Sequence, residues 1–145
     1  MTGFLLDTNV LSEFARTREP DRRVDTWLKT TAEESVFASV LTFAEIRRGI
    51  ELLPVGERRT QLEQWQEDLI TSFEMRLLPV TKTIPDRWAV LAARTQRKGI
   101  TLSDIDGLIA ATALEHDLTL VTRNLKDFTG VEVRLFNPWE ESSLL

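Results

Sequence analysis

Gly3-Phe4-Leu5-Leu6-Asp7-Thr8-Asn9-Val10-Leu11 is the stretch that sets the reading of the whole chain. Its apolar run up to Leu6 has the length of a short buried strand and stops at an acid. Thr8 or Asn9 can then cap a helix in which Val10, Leu11 and Phe14 recur at helical spacing. Strand, turn and helix follow one another directly, and the turn carries a carboxylate.

The same alternation continues outward from there. Residues 36–40 form a second β-prone run, feeding a helix whose Phe43, Ile46, Ile50 and Leu53 make an apolar stripe that stops near Pro54 and Gly56. Leu62, Trp65, Leu69 and Phe73 mark one face of a further helix. Residues 75–80 read as a third strand, broken by Pro79. Trp88, Leu91, Ala92 and Thr95 give a helical face over residues 84–97, closed by Lys98 and Gly99. Ser103 opens a helix rich in small residues over 105–116, and a strand follows at 118–121. Val131, Val133 and Leu135 alternate in a last strand over 131–136, ended by Asn137 and Pro138. Short strands separated by helices predict an α/β fold with a mostly parallel sheet covered on both faces. In such sheets ligands bind beyond the carboxyl ends of the strands, where Asp7 and Asn124 both fall.

The chain has 145 residues, the size of one globular domain, and no repeat, low-complexity stretch or linker divides it; one domain over 1–145 is expected. With no cysteine, a disulfide framework, a zinc-thiolate site and a cysteine nucleophile are excluded, and the single histidine, His116, excludes a two-histidine metal site. His116 reads as a residue flanking a helix end. No apolar stretch approaches the roughly 20 residues of a membrane span, which predicts a soluble, cytoplasmic protein. The net charge of -5 argues against capture of nucleic acid by bulk charge. It leaves room for a nuclease, because clustered carboxylates lower the net charge, while Arg22 and Arg23, Arg47 and Arg48, or Arg97 and Lys98 can still meet phosphates.

Each acid near a strand end or helix start has a structural alternative. Asp7 suits a turn or a cap. Thr42-Phe43-Ala44-Glu45 fits a capping box, although Glu45 also borders the apolar positions Leu41 and Leu52, with Gly49 open to close approach of another backbone. Asp104 and Asp106 complement the dipole of the helix that Ser103 opens, but Asp106 shares its face with Ile109, Ala110 and Ala113. Asn124 and Asp127 are ordinary loop formers. Taken together, carboxylates converging on one sheet edge repel one another unless cations neutralise them or some remain protonated. An oxygen-only set favours Mg²⁺ or Mn²⁺ over zinc. Such ions hold a phosphodiester and activate water.

Four segments in order, Leu5-Leu6-Asp7-Thr8-Asn9-Val10-Leu11, Thr42-Phe43-Ala44-Glu45-Ile46-Arg47-Arg48-Gly49, Asp106-Gly107-Leu108-Ile109-Ala110-Ala111-Thr112-Ala113 and Leu120-Val121-Thr122-Arg123-Asn124, resemble the PIN-domain family. Within it they are most similar to the VapC- and FitB-like toxins of type II toxin-antitoxin systems, and the ending Phe136-Asn137-Pro138-Trp139 is FitB-like. The resemblance implies a three-layer α/β/α domain and a Mg²⁺- or Mn²⁺-dependent endoribonuclease that hydrolyses RNA phosphodiesters with a metal-activated water. It carries catalytic and metal-site roles to Asp7, Glu45 and Asp106, favours Asp106 over Asp104, and leaves Asp127 and Asn124 as further metal candidates. Thr8, Asn9 and Thr122 are expected to support the site, and Arg47, Arg48 and Arg123 to contact RNA. It further implies a homodimer, a small cognate antitoxin, and promoter DNA bound only through that antitoxin. The chain departs from many relatives at Asn124, where they carry Asp. That leaves an alternative, a catalytically weak subunit completing a DNA-binding regulatory complex. A haloacid-dehalogenase-type phosphatase needs a second Asp where this chain has Asn9, and a receiver domain needs an acid pair and a late lysine that are not found.

Overall fold

The computed structural model describes residues 3–16 and 19–140, so the domain bounds expected from sequence extend beyond it at both ends. Its strands are β1 (Phe4–Leu6), β2 (Val36–Ser39), β3 (Leu77–Leu78), β4 (Thr119–Val121) and β5 (Leu135–Phe136). Its helices are α1 (Thr8–Arg16), α2 (Arg22–Thr30), α3 (Val40–Glu51), α4 (Glu57–Phe73), α5 (Thr83–Arg97) and α6 (Asp104–Glu115). The five strands form one sheet in the order β3-β2-β1-β4-β5, and every pairing is parallel. The α/β class with a central parallel sheet is as the sequence predicts.

Side-chain alternation in such short strands sorts the core into two layers. Leu6 of β1, Val36 and Ala38 of β2 and Val121 of β4 face α1 to α4, packing with Val10, Leu11, Val24, Trp27, Phe43, Ile46 and Phe73. Leu5 and Leu120 face the other way, onto Ile84 and Leu91 of α5 and Ile109, Ala110 and Ala113 of α6. The small side chains of α6 let it lie close to the sheet. Gly107 is needed for the same reason: a Cβ there would sit 2.7 Å from Cδ1 of Trp88. The result is helices on both faces of the sheet, a three-layer α/β/α arrangement.

Three elements differ from the sequence reading. α2 was not anticipated; Asp21 caps it by accepting from the Arg23 amide at 2.9 Å, and its Val24 and Trp27 are buried. The third strand shrinks to two residues because residues 74–76 form a 3₁₀ turn before it and Pro79, which has no amide hydrogen, follows it. The last strand shrinks likewise. The Val131 amide donates to Phe128 O and the Val133 amide to Val131 O, so local turns take the hydrogen bonds that a strand would have given its neighbour. Among the described residues no helix is long and apolar enough to cross a membrane.

Candidate functional site

The strand order places a switch point at β1 and β4. From β1 the chain steps outward through β2 and β3, then returns to pair β4 on the opposite side of β1. Loops leaving the carboxyl ends of these two strands diverge, and the crevice between them is where a doubly wound sheet receives ligands. Asp7 leaves β1 there, and Thr122, Arg123 and Asn124 leave β4 there.

Asp7 is 5% exposed. Its amide donates to Val121 O at 2.9 Å, which extends the ladder by one residue past β1. Oδ1 accepts from the Thr8 amide at 2.9 Å, and Oδ2 accepts from Thr122 Oγ1 at 2.8 Å and from Asn9 Nδ2 at 3.3 Å. A turn residue needs only the first of these bonds. Burial pushes the carboxyl up from 3.8 to about 6; the Thr122 and Thr8 bonds oppose the rise, and the negative charges of Asp106 and Glu45 add to it. Thr122 is fully buried, and its hydroxyl is saturated: it donates to Asp7 and accepts from Asn9 Nδ2 at 3.2 Å and from the Asn124 amide at 3.1 Å.

Glu45 does not form the capping box that Thr42-Phe43-Ala44-Glu45 suggests. α3 starts earlier, and Ser39 caps it by accepting from the Leu41 amide at 3.0 Å. Thr42 lies inside the helix, its hydroxyl buried with no partner. The Glu45 carboxylate turns instead toward α1, where Oε1 accepts from Thr8 Oγ1 at 2.5 Å. Gly49 does not serve close backbone approach either, since nothing lies within 4 Å of a Cβ placed on it.

Asp106 stands half-buried in the first turn of α6, where Ser103 Oγ caps the helix by accepting from the Asp106 amide at 3.2 Å. Burial raises its carboxyl, the Ser103 bond lowers it, and the charges of Asp127 and Glu45 raise it further. Asp104 is exposed at the mouth of the same helix. Asp127 lies in the 3₁₀ turn Leu125–Phe128, and Asn124 flanks that turn with its side chain exposed. The acids that act on one another are therefore Asp7, Glu45, Asp106 and Asp127.

No ion pair joins any of these four to a basic side chain among the described residues. As the side chains stand, no three acids among the described residues enclose a common point. The donor set nevertheless fits a hard divalent cation in its chemistry: carboxylate oxygens, two of them with raised pKa, and no protein cation to neutralise them.

The candidate RNA-contacting arginines differ in freedom. Arg47 is tied to Glu51 and lies 3.7 Å from Glu63, so its charge is already partly answered. Arg48 is exposed on α3. The Arg123 amide donates to Asn9 Oδ1 at 3.1 Å, and its guanidinium lies 5.2 Å from the ring centre of Trp139. His116 ends α6, as expected. Sequence reasoning left out Asn137 and Trp139, both buried against the Thr122–Arg123 turn; the motif Phe136-Asn137-Pro138-Trp139 was the available signal.

The PIN domain family model matches residues 4–132. Plasmid stability protein StbB of Pseudomonas syringae pv. tomato is 39% identical over 94% of this chain and 98% of its own length. Toxin FitB of Neisseria gonorrhoeae is 37% identical, covering 94% and 99%, and VapC ribonuclease Y4jK of Sinorhizobium fredii is 35% identical, covering 94% and 97%. Among solved structures, FitAB bound to an IR36 DNA fragment contains a chain similar at TM-score 0.87 and 36% identity, covering 94% of this chain and 96% of that one. FitAcB from Neisseria gonorrhoeae is similar at TM-score 0.87 and 37% identity, covering 94% and 99%. With the switch-point acids, the sheet order and this match over most of its length, the chain belongs to the PIN domain family.

Proposed function

We propose that this chain is the toxin of a toxin-antitoxin pair and that it cuts RNA internally as a Mg²⁺- or Mn²⁺-dependent ribonuclease. The observation that carries the reading is that Asp7, Glu45, Asp106 and Asp127 act electrostatically on one another beside the β1/β4 switch point, with no basic partner among the described residues. Relatives named as a toxin and as a ribonuclease, at 37% and 35% identity, support the choice of RNA.

A bound Mg²⁺ or Mn²⁺ ion supplies Lewis acidity to a phosphodiester oxygen and makes water easier to deprotonate. Asp7 and Asp106 are the residues we assign to hold it. Thr122 and the Thr8 amide fix the Asp7 carboxylate in one orientation, so little side-chain freedom is lost on binding. Ser103 does the equivalent for Asp106 by fixing the first turn of α6. Glu45, steered by Thr8, orients the attacking water and takes its proton. Asp127 adds negative charge that acts on Asp106, and the neutral Asn124 adds none.

The partner follows from the relatives. FitAB is a complex bound to DNA, and we propose that this chain likewise pairs with a small antitoxin and reaches promoter DNA through it, as a homodimer. Its own charge of -5 suits that division of labour. An apolar groove of about 500 Å³, lined by Leu11, Phe14, Leu28, Trp65 and Leu69, offers a partner chain room to bury side chains. The neutral, exposed Asn124 favours the second reading, a weakly catalytic subunit of the regulatory complex. Incubating antitoxin-free protein with total cellular RNA and Mg²⁺ or Mn²⁺, and mapping the cut ends, separates the two: discrete cuts lost in Asp7→Asn and Asp106→Asn support the nuclease. Undiminished promoter binding by the complex without any cutting supports the regulatory subunit.

A further inference from the structure

The ending Phe136-Asn137-Pro138-Trp139 has no part in the acid cluster, yet it is built against the turn that holds it. The Thr122 amide donates to Phe136 O at 2.9 Å, which pins the end of β4 to the first residue of the motif. Asn137 is 6% exposed, and each of its amide atoms is used. Nδ2 donates to Arg123 O at 3.3 Å and to Glu140 Oε1 at 3.2 Å, while Oδ1 accepts from the Trp139 amide at 2.9 Å. The last bond folds Trp139 back into the core, 5% exposed, beneath the Arg123 guanidinium. On its other side the Arg123 amide is fastened to Asn9, whose own amide nitrogen reaches Asp7 Oδ2 at 3.3 Å.

The backbone of an exposed arginine is thereby held on both sides, one residue past the Thr122 that grips Asp7, with its guanidinium over the Trp139 ring. Arg123 enters no ion pair among the described residues, unlike Arg47 with Glu51 and Glu63. A guanidinium lying over a ring face still has N–H donors to offer, and its planar fork matches phosphate oxygens. Building on the nuclease reading, we propose that Arg123 binds a backbone phosphate of the RNA beside the acidic site. Asn137 and Trp139 are the positioning residues that aim it. The -5 chain thus meets its polyanionic substrate with a fixed cation at the rim of the crevice rather than with a basic face.

The test is binding of a fluorescein-labelled single-stranded RNA to full-length Asp106→Asn protein, followed by anisotropy over a series of salt concentrations. Adding Arg123→Ala weakens binding at every sequence tried and lowers the salt slope by about 0.7, the value for one lost single-strand phosphate contact. Trp139→Leu gives a smaller loss, which Trp139→Phe restores because a ring face remains. In the Arg123→Ala background Trp139→Leu has no further effect, the mark of a residue acting through another. Asn137→Asp, which keeps the shape of the side chain, serves as the second positioning variant should Trp139→Leu fold poorly. An unchanged slope in Arg123→Ala overturns the proposal, while metal-dependent cutting by the otherwise native chain would leave the nuclease reading intact. Additive losses from Arg123→Ala and Trp139→Leu overturn the positioning role. Absence of RNA binding by the Asp106→Asn parent at all salt concentrations overturns the proposal as well, and absence of cutting by the native chain is what removes the nuclease reading.

Discussion

Thr122 Oγ1 donates a 2.8 Å hydrogen bond to Asp7 Oδ2, joining residues 115 positions apart in the chain and the two strands that flank the switch point. The bond works against burial, which alone would leave Asp7 protonated over an even wider pH range. Replacing Thr122 with Val removes that donor and leaves the Asn9 and Asn124 groups without their shared acceptor. We expect a loss of about 1–3 kcal/mol in urea unfolding. The acid limb of the cleavage pH profile should also move to higher pH, and a limb that stays in place would separate Thr122 from the ionisation of Asp7.

Asp7 itself should destabilise the metal-free fold at neutral pH. Its carboxyl rises from 3.8 to about 6 on folding, so between those values the folded chain binds more protons than the unfolded one. Stability therefore falls as pH rises through that window, and the penalty is complete above about 6. Asp7→Asn in metal-free protein should be more stable than the native chain at pH 7.5 by up to about 3 kcal/mol, with the gain fading toward pH 4. Equal melting shifts at both pH values would contradict the raised carboxyl.

A divalent ion removes the same penalty. Mn²⁺ at roughly ten to a hundred times its dissociation constant should stabilise the fold by about 1–3 kcal/mol. Calorimetry at pH 6 should detect proton release as Asp7 ionises, and little release at pH 8. Asp106→Asn should show neither effect at the same Mn²⁺ concentration; a full thermal shift in that variant would move the ion elsewhere.

Gly107 and Trp88 make a steric prediction independent of any ligand. A Cβ on Gly107 would meet Trp88 Cδ1 at 2.7 Å and Nε1 at 2.9 Å, so the partly buried indole must shift to admit it. Gly107→Ala should cost about 1–3 kcal/mol. Pairing it with Trp88→Leu should cost less than the two changes summed, because the smaller side chain vacates the clash; strict additivity would show that the ring is not the obstacle.

What was legible in the sequence, and what was not, follows from the range of the forces involved. β1 and the start of α1 were readable because an apolar run and an acid lie side by side, and the structure places Phe4–Leu6 and Thr8–Arg16 there; Thr8 and Asn9 do not cap α1 but lie inside it, their side chains reaching Glu45 and Thr122. α2 is hard to read from sequence because its stripe rests on Val24, Trp27 and Leu28 amid charged neighbours, and only Asp21 marks its start. Val131 and Val133 alternate like a strand, yet their amides bond within the turn, a choice made by the loop geometry around Gly130, whose φ is +83°. At the site, Asp7 and Asp106 were suggested by local context. The tie between Glu45 and Thr8 spans 37 residues, and the local capping pattern pointed the other way. The bracket of Asn137 and Trp139 on Arg123 was likewise invisible, because it depends on two loops meeting only after the sheet has formed.

The measurement to make first is the initial rate of RNA cleavage by antitoxin-free protein as Mg²⁺ is titrated at pH 7.5, in the native chain and in Asp106→Asn. We expect a rate that saturates with Mg²⁺, vanishes with chelator, and falls by about a hundredfold or more in the variant. Cutting that persists without divalent ions, or equal rates in the two proteins, would contradict a metal-dependent nuclease built on the β1/β4 acids.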